Sequence, residues 1–305
     1  VAPGGYAWWY LDALSDDATH GLTIIAFIGS VFSPYYAWAR RRAPGAADPL
    51  AHCAVNVALY GRGGHRWCMT ERGSGQVQRS AGQLRIGPSV VERRGESLTF
   101  CLDEITSPWP SRVHGVVRVH TDAWAAHDLA LDAAGRHRWR PYAPCAQVEV
   151  HLSAPALQWR GRGYFDSNCG DAPLEDDFDG WHWSRAHLDD GRTAVIYDIE
   201  RRDRTSLSIS RLFERDGTAA AFSAPGVAAL PASAWRLARA CRSDAGTDAH
   251  VAQPLEDGPF YARSIVEATW QRRPVRAVHE SLSLRRFAQP WVQAMLPFKM
   301  PRRAG

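Results

Sequence analysis

The chain has 305 residues, enough for two domains that each bury a core, and its 36 basic and 32 acidic residues leave a net charge of +4. The basic residues are scattered among acids and all but Lys299 are arginine, which excludes the basic stripe of a nucleic-acid binder. Cys53, Cys68, Cys101, Cys145, Cys169 and Cys241 show no CxxC pair and no metal-ligand spacing, so free thiols in a reducing compartment are expected and a metal site is not.

The first predicted elements lie between Tyr6 and Arg42, where YAWWYLDALSDD runs into GLTIIAFIGSVFSPYYAWA and stops at Arg40, Arg41 and Arg42. The run from Gly21 to Ala39 carries no charge, a length that suits a transmembrane helix with a basic edge. Thr23, Gly29, Ser30, Ser33 and Pro34 interrupt it, however, and Ile24, Ile25, Phe27, Ile28 and Val31 favour strand. An echo decides for the strand. WWYLDALSDD from Trp8 to Asp17 aligns without a gap with WHWSRAHLDD from Trp181 to Asp190, and each is followed by a β-rich run, GLTIIAFI or TAVIYDIE. In both copies an aromatic strand meets an Asp-Asp turn with Gly close behind and then a second strand, a hairpin signal. The part with no echo, from Gly29 to Arg42, is expected to be an aromatic loop with a basic edge that offers Phe32, Tyr35, Tyr36 and Trp38 to an apolar partner.

Farther along, HCAVNVALYG, RWCMTERG, RVHGVVRVH, QVEVHLSA, TSLSISRLFERDG, SIVEATW and RAVHESLSLRRF read as short strands bounded by Gly, Pro and Asp. This pattern predicts an all-β chain of two tandem β-barrels related by the internal repeat. Small residues and Pro155 in Ser153–Leu157 place the junction there, giving domains 1–157 and 158–305. GVAALPASAWRLARACRSD brings Leu230, Trp235, Leu237 and Ala238 near one face and is expected to be helical. The closing RRFAQPWVQAMLPFKMPRR mixes Phe287, Trp291, Met295, Leu296 and Phe298 with Arg285, Arg286, Lys299, Arg302 and Arg303. Such a tail suits an anionic membrane surface, or else folds onto the second barrel.

Few constellations carry chemistry by themselves. Glu175, Asp176, Asp177 and Asp179 form a carboxylate run in which one member could stay protonated, although such a run is more often a solvated loop. Its spacing is wrong for a calcium loop, and no nucleophile elbow, phosphate loop or dinucleotide fingerprint is present. Trp181, His182 and Trp183 match Trp8, Trp9 and Tyr10 in the echo, which argues for a structural aromatic strand.

YAWWYLDALSDD with GLTIIAFIGSVFSPYYAWARR, and GYFDSNCGDAPLEDDFDGWHWSR from Gly163 to Arg185, resemble the carotenoid 1,2-hydratases of phototrophic bacteria, also called hydroxyneurosporene synthases. The likeness covers nearly the whole chain. It implies a lipocalin-like (calycin-type) two-barrel fold, in agreement with the repeat. It also implies addition of water to the terminal 1,2 double bond of an acyclic carotenoid such as neurosporene or lycopene, without redox or metal cofactor. The family's functional positions fall on His137 and Trp139 in GRHRW and on Tyr164 and Asp166 in GYFD.

An isolated trisubstituted alkene is not polarised, so a strong acid must protonate C2 before water captures the tertiary cation at C1. Asp166 is the expected acid, kept protonated by burial among Tyr164, Phe165 and Trp139. Trp139 and Tyr164 would face the cation, and His137 would orient Asp166 or hold the water. A non-enzymatic carrier of an apolar ligand is the alternative for such barrels, but it would not need these four side chains. A membrane-resident substrate implies peripheral contact with a membrane, expected on its cytoplasmic side. No protein partner is identifiable.

Overall fold

The computed structural model describes residues 1–63 and 65–303. The chain is 57% strand and 11% helix and builds curled, lipocalin-like antiparallel sheets. It divides into two compact units, Val1–Pro173 with residues 294–305, and Leu174–Gln293.

The first unit holds β1 (Tyr6–Ser15), β2 (His20–Ile28), β3 (Cys53–Gly61), β4 (Arg66–Arg72), β5 (Val77–Arg79), β6 (Gln83–Ile86), β7 (Ser89–Arg94), β8 (Ser97–Ile105), β9 (Arg112–His120), β10 (Leu129–Ala130), β11 (His137–Ala154) and β12 (Ala156–Gly170). Hydrogen bonding orders them β4-β3-β2-β1-β12-β11-β9-β8-β7-β6-β5, with β10 on β11. The sheet curls because alternate residues of most strands meet in one core. Leu22, Ile24, Ala26 and Ile28 of β2 pack with Val55 and Val57 of β3, Phe100 of β8, Val117 of β9 and Phe165 of β12. Thr23 and Phe27, on the other face of β2, are buried as well. Burial on both faces explains why this strand reads as an uncharged run. No helix among the described residues is long and apolar enough to cross a membrane.

The second unit holds α2 (Leu174–Asp177), β13 (Phe178–His187), β14 (Thr193–Arg201), β15 (Ser206–Phe213), β16 (Ala219–Ala221), β17 (Gly226–Leu230), β18 (Arg239–Ser243), β19 (His250–Asp257), β20 (Tyr261–Trp270), β21 (Arg273–Ser283) and α3 (Leu284–Phe287). Its main sheet runs β16-β15-β14-β13-β21-β20-β19. The β1–β2 and β13–β14 pairs are both antiparallel hairpins, and the echoed residues Trp8 and Trp181 occupy their first strands.

Four expectations about elements differ from what forms. The stretch at Ser153–Leu157 is the turn of the β11–β12 hairpin, with Ser153 paired to Ala156, so both flanking strands belong to the first sheet. Small residues with a proline suit a tight turn as well as a linker. The segment after Gly226 is a two-stranded ladder of β17 and β18, not a helix, because Pro231 interrupts it and strand pairing buries Leu230 and Cys241. The unechoed stretch carries a helix, α1 (Pro34–Arg42), where a loop was expected. The Ser33 hydroxyl accepts from the Tyr35 and Tyr36 amides, Pro34 opens it, and three arginines close it where the helix dipole favours cations. Finally, α4 (Pro290–Lys299) returns the tail to the first unit, where β22 (Arg302–Arg303) pairs in parallel with β4. Arg302 is anchored there on Glu71 and the carbonyl of Ala51, so the end of the tail does not fold onto the second barrel.

Candidate active site

Three adjacent strands, β1, β12 and β11, carry the predicted residues on the sheet face opposite the core of the first unit. Pairing sets their side chains in rows: Tyr6, Gly170 and His137; then Trp8, Asn168 and Trp139; then Tyr10, Asp166 and Pro141; then Asp12 beside Tyr164. Side chains point to one face at every second residue, so Tyr164, Asp166 and Asn168 must share this face. His137, Trp139 and Tyr164 are fully buried, and Asp166 is 4% exposed.

Asp166 Oδ2 accepts two hydrogen bonds, from Trp139 Nε1 at 2.7 Å and from the Tyr164 hydroxyl at 2.8 Å. Burial, followed by the charge of Asp166, pushes the Tyr164 hydroxyl well above its ordinary pKa, so the phenol remains a donor. Two donors on one oxygen can stabilise a carboxylate at this position. Tyr10 packs edge-on against Tyr164 at 6.4 Å, and Trp8 lies 6.2 Å from Phe27 and 6.1 Å from Phe32, so π faces surround this part of the sheet.

His137 stands two rows from Asp166 in the strand register and is held by its neighbours. Its Nδ1 lies 2.9 Å from the Tyr6 hydroxyl, and its backbone amide donates to Asp132 Oδ1 at 2.8 Å. Burial raises the Asp132 pKa, but the amides of His137, Arg136 and Ala134 outweigh it and hold the carboxyl below its ordinary value. Gly170 makes room for this pair: a Cβ there would stand 2.5 Å from His137 Nδ1 and 2.7 Å from the Tyr6 ring.

The remaining expected residues do not all join the site. Phe165 points to the opposite face, as strand period requires, and packs against Phe100, Trp124 and Tyr142 instead of burying Asp166. There it lines a cavity of about 500 Å³ together with Trp9 and Arg140. Phe32 reaches the aromatic cluster through Trp8 and Phe27. Tyr36 is buried, donating to the Gly5 carbonyl at 2.6 Å and packing on His52. Tyr35 lies 6.0 Å from the Arg302 guanidinium, and Trp38 is exposed beneath Arg42.

In the acidic run, Glu175, Asp176 and Asp177 sit in α2, and Asp179 is held by Arg285, whose hydrogen bond keeps its carboxyl below the ordinary value. A proton donor needs the opposite shift. Among the described residues no cluster of metal-ligating side chains forms, and the cysteines are free thiols. Tyr6, Trp8, Tyr10, Asp12 and Asn168 are the site-face residues that sequence reasoning missed. Strand period would have found Asn168, two residues after Asp166; the β1 residues needed knowledge of which strand lies beside β12.

Residues 24–305 match the model of the family described as Carotenoid hydratase CrtC. The acyclic carotenoid 1,2-hydratase of Thiocapsa roseopersicina is 54% identical over 306 residues, covering 100% of this chain and 75% of that protein. The protein of the same name from Rubrivivax gelatinosus is 49% identical over 304 residues, covering 100% of this chain and 75% of its own length. Among solved structures, an AttH-type protein from Nitrosomonas europaea superposes with a TM-score of 0.59 at 14% identity, covering 91% of this chain and 92% of that one. At such identity the likeness shows the fold alone.

Proposed function

The chain belongs to the carotenoid hydratase family, and we propose from this that it is an acyclic carotenoid 1,2-hydratase acting through Asp166. The observation that carries the role of Asp166 is its buried carboxyl, which accepts from both Trp139 and Tyr164 through one oxygen on a face lined by aromatic rings.

Asp166 transfers its proton to C2 of the terminal double bond, and the electron pair of that bond forms the new C–H bond. The tertiary cation left at C1 lies against π faces of Trp139, Tyr164 and Tyr10, each worth roughly 0.5 to 2 kcal/mol and more in a dry site. Trp139 and Tyr164 hold the new carboxylate of Asp166. Water adds to C1, and the proton it releases returns to Asp166, giving a tertiary 1-hydroxy product. Proton donor and acceptor are thus the same group, and neurosporene and lycopene are suitable substrates. His137, fixed by Tyr6 and the Asp132 cap, serves as a positioning residue at the end of the face.

A polyene dissolved in a bilayer reaches the protein at a membrane surface, so peripheral association, on the cytoplasmic side, belongs to this reading. The free thiols fit a reducing compartment, and the exposed Trp109 and Phe298 supply apolar side chains for the surface.

Incubation of the protein with lycopene in ¹⁸O-labelled water tests the reaction. Labelled 1-hydroxy product is expected, with Asp166→Asn lowering its formation by roughly 10²- to 10⁴-fold while polyene binding persists. Binding without labelled product would leave only a carrier; near-normal turnover by Asp166→Asn would remove Asp166 from the role of donor.

A further inference from the structure

The hydratase reading leaves open what holds the second substrate, water. We propose that Asn168 does so. The inference rests on Asp166 being the acid, because it places the water beside that acid.

Asn168 is 3% exposed, between Trp8 on β1 and Trp139 on β11. Its amide nitrogen Nδ2 is buried and finds no acceptor among the described residues. Leaving a buried donor without an acceptor is costly, and apolar side chains of similar size would avoid that cost between two indoles. A buried amide therefore marks a position where a small polar ligand completes the hydrogen bonds. Water fits: it accepts from Nδ2–H and keeps a lone pair for reaction. If the amide is turned over, Asn168 instead accepts a hydrogen from water, which holds the same molecule in the same place.

The position also suits the chemistry. Asn168 follows Asp166 by two residues on one strand face, so their Cβ atoms lie ~7 Å apart. A terminal C1=C2 bond seated across the two rows meets the proton at one row and water at the other. Trp139 ties the rows together, since it stands opposite Asn168 and donates to Asp166. The balance is unchanged: Asp166 gives a proton to C2, the water oxygen bonds to C1, and its proton returns to Asp166. Asn168 neither gains nor loses a proton.

A cation that water fails to capture loses a proton and returns to alkene. In D₂O that return leaves deuterium at C2 of recovered lycopene, so exchange measures protonation and hydration measures capture. Asn168→Leu, similar in volume and without hydrogen-bonding groups, is expected to lower hydration by at least about tenfold while exchange continues, raising the ratio of exchange to hydration. Asn168→Ser, which supplies a hydroxyl that can hold water, is expected to recover part of the hydration. The thermal midpoint of Asn168→Leu should not fall, because no protein hydrogen bond is lost.

Hydration by Asn168→Leu at the wild-type rate would overturn the proposal. So would equal falls in hydration and exchange, or a large fall in the thermal midpoint without Asn168→Ser restoring the ratio. Asp166→Asn separates the two ideas. Loss of both hydration and exchange supports Asp166 as the acid, whereas retention of both overturns that reading and the Asn168 proposal with it; an unchanged Asn168→Leu ratio beside an inactive Asp166→Asn overturns the Asn168 proposal alone.

Discussion

At the scale of single residues, the site depends on space as much as on reactive groups. Gly170 leaves the gap in which the His137 imidazole meets the Tyr6 hydroxyl. Gly170→Ala would place a methyl group within 3 Å of both side chains, so one must move, at a typical overpacking cost of about 1 to 3 kcal/mol. A lower thermal midpoint and reduced turnover are expected, with polyene binding less affected; a midpoint and rate equal to the parent would show that His137 need not be held there. The four candidates His137, Trp139, Tyr164 and Asp166 were picked out of GRHRW and GYFD by family likeness. Their partnership was not, because Trp139 and Asp166 are 27 residues apart and meet only when β11 pairs with β12. Phe165 shows the converse: it adjoins Asp166 in sequence and faces away from it in the sheet.

At the scale of elements, period-two patterning foretold most strands, since each buries alternate residues in a core. It was weakest where local preference and pairing disagree, as in β17–β18, where a helix-like spacing lies in a ladder, and in α1, where the Ser33 cap outweighed an aromatic, loop-like composition. Strand β21 carries a separate consequence inside the second unit. His279 is buried between Ser184 on β13 and Ser281, at 2.8 and 3.1 Å, and burial, then the charges of His182 and Arg239, pushes its pKa down to about 3. It therefore folds neutral, below its unfolded value of 6.5. As pH falls below that value the unfolded chain takes up a proton that the folded one refuses. Stability is thus complete above the unfolded pKa and declines toward the folded one by up to ~1.4 kcal/mol per pH unit. Urea unfolding between pH 7.5 and 5 should show this loss, and His279→Gln should reduce the slope; equal slopes would mean that other groups dominate acid sensitivity.

At the scale of the whole molecule, much of the tail is taken up by the first unit, which leaves less of it for a surface than its composition suggested. Val292, Leu296 and Met300 are buried and β22 extends the first sheet, so removing the tail would disturb folding as well as any surface it offers. What it exposes is narrower. Phe298 is 74% exposed and its carbonyl accepts from Ser107, two residues before Trp109, which is 84% exposed; Lys299 lies over Trp67 at 4.2 Å. Together they make an aromatic tip with a cation, suited to the headgroup region of an anionic bilayer. Trp109→Ser combined with Phe298→Ser is expected to weaken cosedimentation with anionic vesicles without changing the thermal midpoint. Undiminished cosedimentation would assign membrane contact to another part of the chain.

Sequence alone determined the β character, two hairpins that each begin with an aromatic strand, the family and the candidate site residues, because period, turn chemistry and motif are properties of neighbours along the chain. Tertiary structure decided which residues share a face, where the chain divides, and what stands beside Asp166. Those depend on strand register and long-range pairing: β1, more than a hundred residues upstream, lies next to β12 and sets Tyr10 opposite Asp166 and Trp8 opposite Asn168.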